Sequence, residues 1–107
     1  MPLPDAFEGR LSVPAIAAPM FLVSGPDLVI ETARAGIIGT FPALNQRTSE
    51  GYADWLDEIE DRLSAASQDG SRPAPFGVNL IVHATNPRLD QDLKSTVDRK
   101  VPLVITS

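Results

Sequence analysis

Few side chains in this 107-residue chain are equipped for chemistry, and most of them follow short apolar runs. Asn79 interrupts the run Phe76-Gly77-Val78-Asn79-Leu80-Ile81-Val82. Burying an amide unpaired costs about 1–3 kcal/mol, so Asn79 needs a partner. It can face a ligand, donating and accepting toward a planar heterocycle, or bond to the backbone of a neighbouring loop. His83, the single histidine, lies just beyond the same run. It can orient an anion or move a proton, or it can cap loop backbone ahead of Asn86-Pro87. Met20 follows Ala18-Pro19 at the end of another run. Its backbone N–H and thioether can rest against a ring, or its side chain can fill core. Thr106 and Ser107 place two hydroxyls after the last run, and Thr40 lies inside the second.

Other chemistries are excluded or disfavoured. The chain has no cysteine, so it holds no disulfide, thiolate nucleophile or Cys-based metal site. It has neither a G-x-G-x-x-G fingerprint nor a phosphate-binding P-loop. No His/Asp/Glu cluster is spaced for a metal, and the order of residues suggests no Ser-His-Asp arrangement. The net charge is −5 with no Lys/Arg cluster. That balance suits neither nucleic acid nor an anionic membrane surface. No apolar stretch approaches the roughly 18–20 residues of a spanning helix. Met1-Pro2-Leu3-Pro4-Asp5 lacks the basic and apolar regions of a signal peptide. A cytoplasmic protein is the expectation.

The elements that must position these residues alternate between two kinds. After an irregular lead-in over 1–12, Ala15–Ala18 reads as a fully buried parallel strand between prolines. Ser24 suits the N-cap of a helix with Pro26 in its first turn and Asp27 near its positive end. This helix is expected to reach Ala35 and to stop at Gly36 in the left-handed C′ conformation. The strand Ile37–Phe41 follows, with Pro42 as its stop. Tyr52, Trp55, Leu56, Ile59 and Leu63 recur at helical spacing, opposite a face rich in carboxylates. Those carboxylates read as a solvated face, not an acid/base pair. Residues 67–75 form a polar loop before the strand that carries Asn79. Asn86 is then expected to cap a third helix that begins at Pro87 and has Leu89, Leu93 and Val97 as its apolar stripe. A last strand spans Val101–Thr106.

Strands alternating with amphipathic helices imply a parallel sheet with right-handed crossovers. An open doubly wound sheet and a barrel both fit, but a flavodoxin-like domain usually needs five strands. The expected fold class is α/β, with four strands and three helices forming about half of a TIM (β/α)8 barrel. A complete barrel needs eight strands and roughly 250 residues. Residues 1–107 then form the N-terminal portion of a single barrel domain, and a missing remainder is expected: a second chain, a homo-oligomer or a truncation. In such folds the site lies at the C-terminal ends of the strands. Those ends are Ala18-Pro19-Met20, Thr40-Phe41-Pro42, Asn79 with His83, and Thr106-Ser107.

Three segments carry a family resemblance: Ala17-Ala18-Pro19-Met20, Ala35-Gly36-Ile37-Ile38-Gly39-Thr40-Phe41-Pro42, and Pro75-Phe76-Gly77-Val78-Asn79-Leu80. In order and spacing they resemble the nitronate monooxygenase family, formerly called 2-nitropropane dioxygenases. Asn79-Leu80-Ile81-Val82-His83, followed by Asn86-Pro87-Arg88-Leu89, is similar to one branch of it. The resemblance implies an FMN-dependent TIM-barrel flavoprotein that oxidises alkyl nitronates with O2 to carbonyl compounds and nitrite. It implies that Ala18, Pro19 and Met20 lie along the isoalloxazine ring and that Asn79 contacts the flavin. Thr106 joins this cofactor-binding set, and His83 is the candidate on the substrate side. The family's catalytic histidine and its glycine-rich phosphate loops belong to later barrel segments, so no catalytic residue is assigned within 1–107, and these residues alone are expected to bind FMN poorly and not to turn over. Two other functions fit the same residues. One is a flavin-dependent enoyl reductase that consumes NADH. The other is a non-catalytic chain that assembles with a partner.

Overall fold

The computed structural model describes residues 3–68, 70 and 72–107. Met1 and Pro2 of the lead-in, and Asp69 and Ser71 of the loop over 67–75, lie outside the described residues. The elements are β1 (Ile16–Ala17), α1 (Pro26–Arg34), β2 (Ile38–Pro42), a 3-10 turn (Ala43–Asn45), α2 (Ser49–Ser67), β3 (Phe76–Leu80), α3 (Leu89–Asp98) and β4 (Leu103–Thr106). The chain is α/β, with a four-stranded sheet in the order β1-β2-β3-β4 and every neighbouring pair parallel. α1 packs on α2, and α2 packs on α3, so the helices form one layer. A doubly wound sheet reverses its strand order part-way. Here each βα unit is laid beside the one before, the pattern of a βα-repeat fold.

The core lies between this helix layer and one face of the sheet. Pleating sends alternate side chains to opposite faces. Phe41, Phe76, Val78 and Leu80 therefore meet Val29, Ile30, Tyr52, Leu56 and Ile59 from the helices. Gly39 lies where α1 comes close to β2. A Cβ there would lie 2.9 Å from the Cα of Val29, so only glycine lets α1 settle onto β2 at this distance. Gly36 follows α1 at φ +84°, the left-handed conformation expected after the helix. α2 starts at a Thr48 cap whose hydroxyl accepts from Gly51 N–H at 2.9 Å.

Several expectations are corrected. β1 is an edge strand of two residues, with Ile16 48 % exposed, not a strand covered on both faces. Its flanking prolines, Pro14 and Pro19, lack the N–H a longer ladder would use. Ser24 is not the cap of α1: Gly25 holds that position without a side-chain bond. The Ser24 hydroxyl instead accepts from Met20 N–H at 2.9 Å. β2 includes Pro42, which pairs in register with Asn79. α3 starts at Leu89 after an Arg88 cap, two residues later than Pro87. Asn86 builds the turn before it, accepting from Arg88 N–H at 3.0 Å and donating to Ile81 O at 2.8 Å.

The largest correction concerns the face that α3 buries. Leu93 and Val97 are exposed, Val97 by 65 %, while Asp92 and Thr96 are buried. Specific polar contacts turn the helix this way. Asp92 pairs with Arg88 at 3.0 Å. The Thr96 hydroxyl donates to Asp92 O at 2.7 Å, which leaves it to accept from the Tyr52 hydroxyl at 2.6 Å.

Burial of this phenol, not its bond to Thr96, ties folding stability to alkaline pH. Burial pushes the Tyr52 phenol up from 10.0 to about 12; the Thr96 bond opposes this, and the nearby Asp92 charge adds to it. A raised phenol pKa means that the folded state holds the proton more tightly than the unfolded chain. The stabilisation is complete below pH 10 and is lost as pH rises toward 12. Its size is about 2–3 kcal/mol. Urea midpoints measured across that window should fall for the wild type and stay nearly level for Tyr52→Phe. Tyr52 is the only tyrosine, so phenolate absorbance reports the same event.

Candidate functional site

The four parallel strands end along one edge of the sheet, and most of the singled-out residues gather there. On the face away from the helices, Pro42, Asn79 and Ile105 are in register, as are Thr40, Gly77 and Leu103 one step earlier. Thr40 is buried, and its hydroxyl donates to Ala17 O at 2.5 Å, fastening β2 to β1. Asn79 is half-buried. Its Nδ2 donates to Ile105 O at 3.0 Å and to the Ser107 hydroxyl at 3.1 Å. Its Oδ1 accepts no hydrogen bond from the described residues. The amide is thus fixed on its donor side and open on its acceptor side.

Thr106 and Ser107 separate. Thr106 pairs in register with Leu80 and shares its helix-side face, so it stands across the sheet from Asn79. Ser107 continues the ladder, donating to Leu80 O at 3.1 Å and accepting from Val82 N–H at 2.8 Å. Its hydroxyl, not that of Thr106, meets Asn79. His83 is exposed and turned to its own loop. Its Nδ1 accepts from Thr85 N–H at 3.1 Å and lies 2.8 Å from the Thr85 hydroxyl. The local capping role accounts for both contacts.

The loop after β1 is the most tightly built part of this edge. Ala18 and Met20 are exposed, and Pro19 is half-buried. Met20 O accepts from Val23 N–H at 3.2 Å and Ser24 N–H at 3.0 Å. Leu22 sits at φ +63°, an outlier for a bulky residue that the surrounding bonds must hold. Those bonds come from Asn45. Its Oδ1 accepts from Leu22 N–H at 3.0 Å, and its Nδ2 donates to Met20 O at 3.0 Å and Ser24 O at 2.8 Å. The result is a fixed ledge on which Phe21 is 69 % and Leu22 78 % exposed.

Arg88 ties the next loop in a similar way. Its guanidinium donates to Gln46 O at 2.6 Å and Ala43 O at 3.3 Å, across the 3-10 turn that carries Asn45. A side chain from the third βα unit therefore holds the second loop, whose own side chain holds the first. Comparison with protein-family models, with curated proteins and with solved structures finds no match for this chain. Among the described residues no group of three or more His, Cys, Asp or Glu is arranged to hold a metal ion. No helix among them is long and apolar enough to cross a membrane.

Asn45 and Arg88 were not among the residues singled out from sequence. Asn45 stands three residues after Pro42 in an unremarkable polar stretch, and its partners lie more than twenty positions earlier. No local spacing could have marked it.

Proposed function

We propose that this chain is the N-terminal part of an FMN-dependent oxidoreductase of the nitronate monooxygenase type, working in the cytoplasm on alkyl nitronates with O2. The reading rests on the three resembling segments. The observation that carries it furthest is Asn79: an amide at the C-terminal edge of a parallel sheet, tethered through Nδ2 and with Oδ1 unclaimed among the described residues. An isoalloxazine ring presents N–H and carbonyl groups on one edge and a broad apolar face. Asn79 Oδ1 and the Ala18-Pro19-Met20 segment fit those two features. The phosphate end finds no cradle in the residues of this set. When bound, the flavin supplies the redox chemistry, while the chain's part is to hold and orient the ring.

A second reading, a non-catalytic chain that assembles with copies of itself or with a partner, is favoured by surface area. A compact monomer of this mass exposes about 5,800 Å². This chain exposes 6362 Å², with Met20, Phe21, Leu22 and Val23 contiguous among its exposed apolar side chains. One experiment weighs both readings: gel filtration of the protein with added FMN, followed by visible absorbance. Flavin co-eluting with protein supports the oxidoreductase; nitronate-dependent O2 uptake without NADH, measured on the completed barrel, then separates it from an enoyl reductase. A colourless protein that elutes above monomer mass supports the assembling chain and overturns flavin binding by this chain.

A further inference from the structure

We infer that Asn45 is a positioning residue for flavin binding: it holds the β1–α1 loop so that the Ala18-Pro19-Met20 backbone is presented in one fixed conformation. The inference rests on the FMN reading above and adds to it a residue from a different βα unit.

The argument is geometric. The loop departs from β1 at Ala18 and must reach Gly25, the cap of α1. Within it Leu22 takes a left-handed conformation that a leucine does not adopt unaided. A loop with that strain and four exposed apolar side chains would relax to another conformation if nothing opposed it. Asn45 opposes it with both ends of one amide. Its oxygen takes the N–H of the strained residue, and its two N–H groups take the carbonyls of Met20 and Ser24 on either side. The Ser24 hydroxyl then takes the N–H of Met20, so both backbone polar groups of Met20 are claimed within the loop. Met20 therefore offers a ligand its side chain and a fixed backbone direction, not a free amide. This narrows the expected flavin contact from the Met20 N–H to the apolar surface of Pro19 and Met20. Asn45 is itself held in place, since Arg88 binds the carbonyls at Ala43 and Gln46 on either side of it.

The test compares wild type, Asn45→Ala and Asn45→Asp. Three quantities are read for each: FMN affinity by fluorescence titration, amide exchange at Leu22, and the urea midpoint. Asn45→Ala should raise the Kd for FMN about tenfold and abolish protection at Leu22, with a much smaller effect on the urea midpoint. Asn45→Asp keeps the acceptor for Leu22 N–H but loses both donors. It should restore part of the protection and part of the affinity. If wild type binds FMN and Asn45→Ala binds it equally well, Asn45 does not position the site and the inference falls by itself. If wild type binds no FMN, the flavin reading falls and the inference with it.

Discussion

Asp92→Ala should lower the unfolding free energy by about 3–5 kcal/mol, among the largest losses of any single substitution. Asp92 is buried, and Arg88 is its only charge partner among the described residues. Apart from that pair at 3.0 Å, neither carboxylate oxygen has a hydrogen-bond partner among the described residues, and Arg88 Nε has none there either. Removing the carboxylate leaves a guanidinium with most of its surface buried and no counter-charge. Breaking a buried pair from one side costs far more than the pair contributes. The decisive comparison is with the double variant Arg88→Met/Asp92→Leu. Removing both charges should recover much of the loss, though not all, because the carbonyls of Ala43 and Gln46 also lose a donor. Urea denaturation of the wild type, the single variant and the double variant measures this coupling. A loss below about 1 kcal/mol for Asp92→Ala would show that the pair behaves as a solvated one.

Phe41→Ala should cost a similar amount, about 3–5 kcal/mol, by a different route. Phe41 is fully buried on β2, under α2. Its ring meets Trp55 edge-on, with centroids 5.6 Å apart and planes at 68°, and meets Tyr52 at 5.9 Å and 56°. Truncation therefore removes apolar burial and two aromatic contacts, each worth about 0.5–1.5 kcal/mol beyond its area. Phe41→Leu fills most of the space and should cost clearly less. Trp55, the only tryptophan, serves as a local reporter: its emission should shift in Phe41→Ala before global unfolding begins. Domains of this size hold only about 5–15 kcal/mol in total. Either alanine variant should therefore show a fraction of unfolded chain at 37 °C.

Periodicity and punctuation made the layout of the sheet legible. Of the stripe, Tyr52, Leu56 and Ile59 are buried and Trp55 and Leu63 partly so, packed against the core, and Gly36 takes its left-handed turn. The strands around Thr40, Asn79 and Ile105 stand in the expected order. α3 was misread because its Leu89/Leu93/Val97 pattern is apolar, while the contacts that orient it are an ion pair and a hydroxyl chain to α2. A hydropathy stripe cannot anticipate a carboxylate that brings its own counter-charge inside. β1 was misread for a related reason: an apolar run shows only that burial is available, and the position at the sheet edge decides how much occurs. At the candidate site, the polar type of Asn79 was informative, but its partners on β4 were not. Asn45 and Arg88 act across the fold on backbone atoms, which carry no sequence signal of their own.

The strand order also bears on how the chain finds this structure. Ile16 pairs with Ile38, Gly39 with Phe76 and Gly77 with Leu103, so each strand meets its partner only one helix away along the chain. No contact in the sheet waits for a segment from the far end. Folding can therefore proceed by accretion, with every βα unit docking on an edge already formed. Chains rich in such near-neighbour pairings cross lower entropic barriers than parallel sheets with interleaved strands. The two loop clamps run against that direction. Asn45 reaches back to the loop after β1, and Arg88 reaches back to the turn after β2. Each unit would thus leave its own loop loose on arrival, to be locked by the unit that follows, so the edge that carries the candidate site would be the last part of the molecule to become rigid.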